Sequence, residues 1–400
     1  MSEDGATGYL DAAATAPLRP EARAAMIAAL DAGAANPSSV HQAGHIARAT
    51  VEAARSSIAD AFGARLADVV FTSGGTEANN LAVIGLALAN PRGRHIVTTP
   101  IEHPSVIESC RYLERVFGFT VDIAEVDGDG LVDPASVAAL TRGDTTLVTV
   151  GLANAEVGTV QDLPRIAEIA RARGALVHTD AVQAAAALPV RFSDEAGAAW
   201  PGPGIDAMTI AGHKFGGPQG TGALLVRAGL RLEPLMHGGG HEGGRRSGTE
   251  NVAGVAGFAA AVVAAQAHLG TRAVALMESR DALITRVLSE VPGARLTGHR
   301  DERLPGHASF VIAGVSGESM LVALDAAGLA VSSGSACAAG SDEPSPVLLA
   351  LGYSPELAQT AIRFTLAQPL STALTDRIIA VLCAETAAAD RRRGAGLRPR

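Results

Sequence analysis

The chain has 400 residues, of which 48% are hydrophobic, enough to bury the core of a large domain and of a smaller one beside it. A formal net charge of −9 excludes a surface built for nucleic acid or an anionic membrane, since phosphates repel such a surface, and points to a small substrate. Three cysteines, at 110, 337 and 383, form no CxxC pair and no disulfide framework, which indicates a reducing cytoplasm.

In chain order, residues 1–9 lack the basic and then apolar pattern of a secretory signal. From 57 to 227, short β-branched runs at 69–72, 95–99, 120–126, 146–151, 175–179, 205–210 and 222–226 alternate with helical stretches such as 163–173, predicting an α/β domain around a mostly parallel sheet. Helices are predicted at 252–269 and 272–290. The apolar run 252–265 falls short of the roughly 18 residues of a membrane span, so a buried helix is expected, with no membrane partner. A strand at 307–313, a helix at 318–327, a strand at 362–366 and a helix at 372–389 then predict a smaller α+β domain. The organisation expected is a large domain over 15–260, a small one built from 1–14 and 261–390, and a disordered basic tail over 391–400.

Lysine occurs once, at Lys214, so 31 of the 32 basic residues are Arg. Arg replaces Lys where charge alone matters, but a Schiff base needs a primary amine that can lose its proton. Three segments give that amine a setting. A strand runs into Ser73-Gly74-Gly75-Thr76 and then a helix, where backbone N–H groups and the Thr76 hydroxyl suit a phosphate; a plain strand-to-helix turn is an equal reading of this segment alone. Asp180 follows the apolar strand at 175–177, at the carboxyl end where parallel sheets bind ligands; it can hold a pyridine nitrogen protonated, or simply cap the next helix, and Gln183 is near enough for a ring oxygen. Lys214 itself follows Ala211-Gly212-His213, small residues that admit a cofactor, with His213 in reach of a phosphate. His237 and His241 are four apart, but Gly238, Gly239 and Gly240 between them argue against a metal-binding helix, so no metal is expected.

Cys110 and Cys383 lie in helical patterns and read as buried or inert thiols. Cys337 sits among Ser, Gly and Ala in a segment running to Pro344 that reads as a mobile, solvated loop, able to present a thiolate.

These motifs, with Tyr9-Leu10-Asp11, Asn36-Pro37-Ser38-Ser39-Val40-His41, Glu102-His103-Pro104, Arg246-Ser247-Gly248-Thr249 and Ser332-Ser333-Gly334-Ser335-Ala336-Cys337, occur in an order that resembles the class V aminotransferase family, fold-type I pyridoxal-phosphate enzymes, and within it the cysteine desulfurases of the NifS/IscS group. The resemblance implies pyridoxal phosphate on Lys214, with Gly75, Thr76, Asn154, Asp180, Gln183, His213 and Thr249 as cofactor contacts. It implies His103 as a catalytic residue that stacks on the ring and assists proton transfer, and Arg363 and Asn36 as substrate contacts. Thr249 resembles a residue that reaches the neighbouring subunit's phosphate, which implies a homodimer with shared active sites. The implied reaction converts L-cysteine to L-alanine: Lys214 removes the Cα proton, Cys337 takes the sulfur as a persulfide, and an acceptor protein of iron-sulfur, thio-cofactor or tRNA-thiolation chemistry receives it. The chain departs from the family at Ala155, where a second asparagine usually holds cofactor and substrate; Asn154 is the candidate to substitute for it. A selenocysteine lyase, an aminotransferase, or a non-catalytic scaffold that binds a sulfur carrier are the competing readings.

Overall fold

The computed structural model describes residues 8–33, 35–193, 204–334 and 343–396, with side chains to 392. Chain order gives α1 (Pro20–Asp31), α2 (Gln42–Phe62), β1 (Val69–Thr72), α3 (Gly75–Ala89), β2 (His95–Thr98), α4 (Pro104–Phe117), β3 (Thr120–Ile123), α5 (Pro134–Leu140), β4 (Thr145–Thr149), α6 (Leu163–Ala172), β5 (Leu176–Asp180), β6 (Ala207–Ala211) and β7 (Gly222–Val226). Their strands form one seven-stranded sheet, ordered β1-β7-β6-β5-β4-β2-β3. All neighbours run parallel except β7, which is antiparallel to both β1 and β6.

Alternation along the strands explains the layers. Val69, Phe71, Val97, Val148, Met208 and Leu225 enter one core with α2, α6 and α7 (Val252–Ala267). Their neighbours Val70, Ile96, Leu147, Ala207 and Leu224 enter another with α3 and α4. A sheet covered on both faces needs apolar residues at odd and even positions alike, which is why β1, β2, β4, β6 and β7 are buried throughout.

A sharp break separates α7 from α8 (Leu269–Glu290), bent by 71°. Residues of α7 belong to the first core, whereas Leu276, Leu283, Ile284 and Val287 of α8 belong to a separate core with Phe310, Leu324 and Phe364. That core backs a four-stranded antiparallel sheet of β8 (Ala294–Leu296), β9 (His307–Ile312), β10 (Ser332–Ser333) and β11 (Ala361–Thr365), ordered β10-β11-β9-β8. Helices α9 (Gly317–Ala326), α10 (Pro346–Ala350), α11 (Pro355–Ala358) and α12 (Thr372–Gly396) complete this part. The N-terminal segment joins it: Tyr9 bridges Ala330, Asp11 bridges Thr365, and Leu10 lies in the second core. Helix α12 carries the backbone through Gly396, so residues 391–396 of the expected disordered tail are helical. Arg is a good helix former, and its charge misled the sequence reading there. Among the described residues no single helix is long and apolar enough to cross a membrane; the bent α7–α8 pair meets the length and composition test only jointly.

Candidate active site

The carboxyl ends of β1, β2, β4, β5 and β6 open into a cavity of about 1160 Å³, the crevice where α/β sheets bind ligands. Each strand delivers its chemistry within a few residues of its end. After β1 the chain turns directly into α3. A Cβ on Gly75 would meet Val182 Cγ2 at 2.9 Å, and one on Gly222 would meet the Gly74 backbone at 2.7 Å, so glycine at both positions lets the turn lie against β7 and the loop after β5. Gly75 and Thr76 therefore line the cavity at a helix start, where the first N–H groups lack intrahelical acceptors.

At the end of β5, Asp180 accepts from Val182 N–H at 2.9 Å and from Asn79 Nδ2 at 2.6 Å. Gln183 follows, donating from Nε2 to the Ala13 carbonyl at 3.1 Å. After β6, Lys214 Nζ donates to that same carbonyl and, at 2.9 Å, to that of Ala14. The N-terminal segment thus orients the only lysine. His213 Nδ1 lies 3.2 Å from Thr15 Oγ1; burial, and then the charge of Lys214, push its imidazole down to about 4, so it stands neutral near pH 7.

Beyond β2, Glu102 and His103 enter the cavity and His103 caps α4. Glu102 is 8% exposed, bonded to Gly151 N–H at 2.9 and 3.0 Å and to the Thr99 hydroxyl at 2.7 Å. Its burial pushes the carboxyl up to about 7. Below it, Cys110 is buried and pushed up to about 12 for the same reason, as expected of an inert thiol. Cys383 is half-buried, its thiol 3.3 Å from the Glu290 carbonyl.

Arg363, on β11, reaches the cavity from the second sheet and is 2% exposed. Nη2 meets Asp11 at 2.9 Å, Nη1 donates to the Ala155 carbonyl at 3.0 Å, and Nε is buried without a hydrogen-bond partner. His307 Nε2 lies 3.1 Å from the same carbonyl.

The cavity therefore brings together Gly75, Thr76, His103, Asn154, Asp180, Gln183, His213, Lys214 and Arg363. The Asn154 side chain is engaged by backbone around it. Its Nδ2 donates to the Ile101 carbonyl at 2.9 Å, and its Oδ1 accepts from Glu156 and Val157 N–H at 2.8 and 2.9 Å, so the amide holds its own loop. Asn36 and Thr249 are exposed and lie outside this cavity. Their segments meet through Ser38 Oγ and His241 Nε2, 2.9 Å apart. The segment of Thr249 is further anchored by Glu242, which accepts from Arg55 and from Phe71 N–H on β1, and by the Arg246–Glu77 pair at 2.8 Å. Cys337 lies outside the described residues.

Sequence reasoning missed Asp11, Asn79, Glu102 and Ser105. Of these, Asp11 and Glu102 stand within motifs already singled out, beside Leu10 and His103, so a signal existed. Asn79 carries none, because its partners are distant in the chain, and nothing in the sequence shows that Ser105, bonded to His103 two residues away, also meets Asn79.

The family model for class V aminotransferases matches residues 8–369. The chain is 43% identical to the protein named Cysteine desulfurase IscS of Dictyoglomus turgidum, covering 90% of this chain and 89% of that one. It is 42% identical to the IscS-like cysteine desulfurase of Mycobacterium tuberculosis, covering 96% and 97%. Among solved structures, a NifS-like protein superposes with a TM-score of 0.85 at 31% identity over 94% of this chain and 98% of that one. The structure of SspA in complex with cysteine does so with 0.76 at 30% identity, over 91% and 99%.

Proposed function

The chain belongs to the class V aminotransferase family and, within it, to the cysteine desulfurases, pyridoxal-phosphate enzymes of fold-type I; from that premise we propose how its own residues carry out the conversion of L-cysteine to L-alanine. The observation that carries the proposal is the convergence, in one cavity, of the sole lysine amine of the chain, the Asp180 carboxylate and the α3 start. An amine to form a bond with an aldehyde, a carboxylate for a ring nitrogen and N–H groups for a phosphate are the donor set that pyridoxal phosphate requires, and the residues fit it. When bound, the cofactor supplies an electron sink that lets an amino acid lose its Cα proton.

Lys214, aimed by the Ala13 and Ala14 carbonyls, would hold the cofactor, and its amine would accept the Cα proton. Asp180 keeps negative charge at the ring nitrogen, and Asn79 and Val182 hold the carboxylate in place. Gly75, Thr76 and His213 would hold the phosphate, and Gln183, which shares the Ala13 carbonyl with Lys214, would contact the ring oxygen. Arg363, buried with its Nε unpartnered and one bond from each of Nη1 and Nη2, grips the substrate carboxylate. His103 handles the proton at substrate. Cys337 thiolate attacks the substrate sulfur: the new S–S bond makes a persulfide, the C–S pair returns to the carbon skeleton, and with a proton the skeleton leaves as alanine. An acceptor protein, for iron-sulfur, thio-cofactor or tRNA sulfur chemistry, then takes the terminal sulfur. Such thiol chemistry suits a reducing cytoplasm.

A homodimer completes the reading. Thr249 and Asn36 are exposed and lie outside their own cavity, and the segment of Asn36 exposes Val40 at 90%, with Ile27, Leu30 and Ile46 exposed on α1 and α2. These features support contact with a second copy, whose phosphate and substrate sites they complete.

The test is alanine and sulfide release from L-cysteine with a thiol reductant, using cofactor-loaded protein beside Cys337→Ala and Lys214→Ala. Equal yields of both products from the parent and neither from the variants are expected. No alanine from a parent that retains its cofactor would sink the desulfurase reading.

A further inference from the structure

Asp180 and His103 are linked by two side chains, Asn79 and Ser105, neither of which has been given a role toward His103. Asn79, 1% exposed on α3, donates from Nδ2 to Asp180 Oδ2 at 2.6 Å and to Ser105 Oγ at 3.0 Å. Ser105, 7% exposed at the start of α4, has its Oγ 2.7 Å from His103 Nδ1, and its backbone N–H donates to the same nitrogen at 3.1 Å.

The direction of every bond follows from the carboxylate. Asp180 accepts, so Asn79 must turn its NH₂ toward it; the reverse orientation would set two acceptors 2.6 Å apart. This leaves Asn79 Oδ1 as the end buried without a hydrogen-bond partner. The second hydrogen of the same NH₂ then points at Ser105 Oγ, making that oxygen an acceptor and leaving its one proton for His103 Nδ1. The Ser105 N–H, one of the orphan donors at the α4 start, needs a lone pair on the same nitrogen. Two donors on Nδ1 place the ring proton on Nε2.

We propose that Asn79 and Ser105 are positioning residues that hold His103 as its neutral Nε2–H tautomer, in a directed hydrogen-bond chain starting at Asp180. His103 accordingly offers the cavity a hydrogen-bond donor at Nε2, which in this tautomer has no lone pair to accept a proton. Ser105 acts through His103 and Asn79 through His103 and Asp180, and neither supplies the Arg363 grip on the substrate carboxylate, so their effect belongs in kcat and not in KM. This inference rests on the desulfurase reading for its kinetic part only.

The experiment combines ring-¹⁵N-histidine NMR and kinetics on the full chain, with and without cofactor. The signal of His103, one of 11 histidines, is identified by its loss in His103→Gln. An unprotonated, acceptor-type Nδ1 with the proton on Nε2 is expected, and a proton on Nδ1 in the parent overturns the proposal outright. Ser105→Ala and Asn79→Ala should each lower kcat about tenfold with KM nearly unchanged, Ser105→Thr should restore it, and the double variant should be no slower than the slower single one. Losses that multiply, or a fall in stability with kcat intact, overturn it as well. A parent that makes no alanine defeats the desulfurase reading instead, and the tautomer measurement still decides the chain of bonds.

Discussion

Replacing Glu102 with Gln should stabilise this protein by an amount that grows with pH. Burial raises the Glu102 carboxyl from its ordinary 4.5 to about 7, against the opposing bonds from Gly151 and Thr99. Between those values the folded state keeps a proton that the unfolded chain has released. Raising the pH therefore favours unfolding, and the penalty is complete only above the folded value. Over the full interval it amounts to roughly 3 kcal/mol, of which about 2 kcal/mol falls between about pH 5.5 and 8.5. With an unfolding entropy of roughly 2 cal/mol/K per residue, a chain of 400 residues melting as one unit shifts by about 1 °C per kcal/mol. Gln keeps an oxygen for Thr99 and Gly151 but carries no charge at any pH. The Tm gap between Glu102→Gln and the parent, read by circular dichroism on cofactor-free protein, should widen by about 2 °C across that range. A gap that stays constant refutes the argument from buried ionisation.

Lys214→Arg should be as inactive as Lys214→Ala, each down roughly 10³-fold in alanine formation, because a guanidinium neither bonds an aldehyde nor gives up its proton; the cofactor absorbance bound to lysine disappears in both. Arg363→Ala should raise KM for cysteine by about ten- to a hundredfold, the worth of one or two charge-assisted bonds, and steady-state kinetics will separate this from any change in kcat. Asn154→Ala removes three bonds to backbone and should cost about 2–3 kcal/mol in urea unfolding. If it instead weakens cofactor binding at full stability, the assignment of its amide to the loop is wrong.

Much of this was legible from local pattern. Alternating β-branched and helical stretches locate all seven strands of the large sheet, since burial on both faces demands continuous apolar runs. Residues at strand ends, Gly75, Asp180 and Lys214, were readable because a strand's carboxyl end fixes where its next residues point. The reversal of β7 was not, because an apolar run of five reads alike in either direction. Nor were the partners of Arg363 and Asp180. Asp11 stands 352 residues from the arginine and Asn79 101 from the aspartate, and only the packing of α3 and of the N-terminal segment brings them together. The bonds of Asn154 were not legible for a different reason: an asparagine beside a cavity has its own backbone within reach, and here its oxygen takes two local N–H groups.

That outcome bears on Ala155. The position contributes its backbone, because the Ala155 carbonyl meets Arg363 from β11 and His307 from β9 and so ties the loop after β4 to the second sheet. An alanine serves that purpose as well as any residue. What it omits is a side-chain amide in the cavity it lines. Ala155→Asn leaves both carbonyl bonds in place, since neither uses the side chain, and adds a donor and an acceptor beside Arg363. One further neutral hydrogen bond to bound substrate is worth about 0.5–1.5 kcal/mol, so KM for cysteine should fall about two- to tenfold while Tm stays within about 1 °C. A lower Tm would mean that the loop cannot seat the larger side chain. An unchanged KM at unchanged Tm would mean that Arg363 already satisfies the substrate carboxylate alone, and that the lost asparagine costs this enzyme nothing in binding.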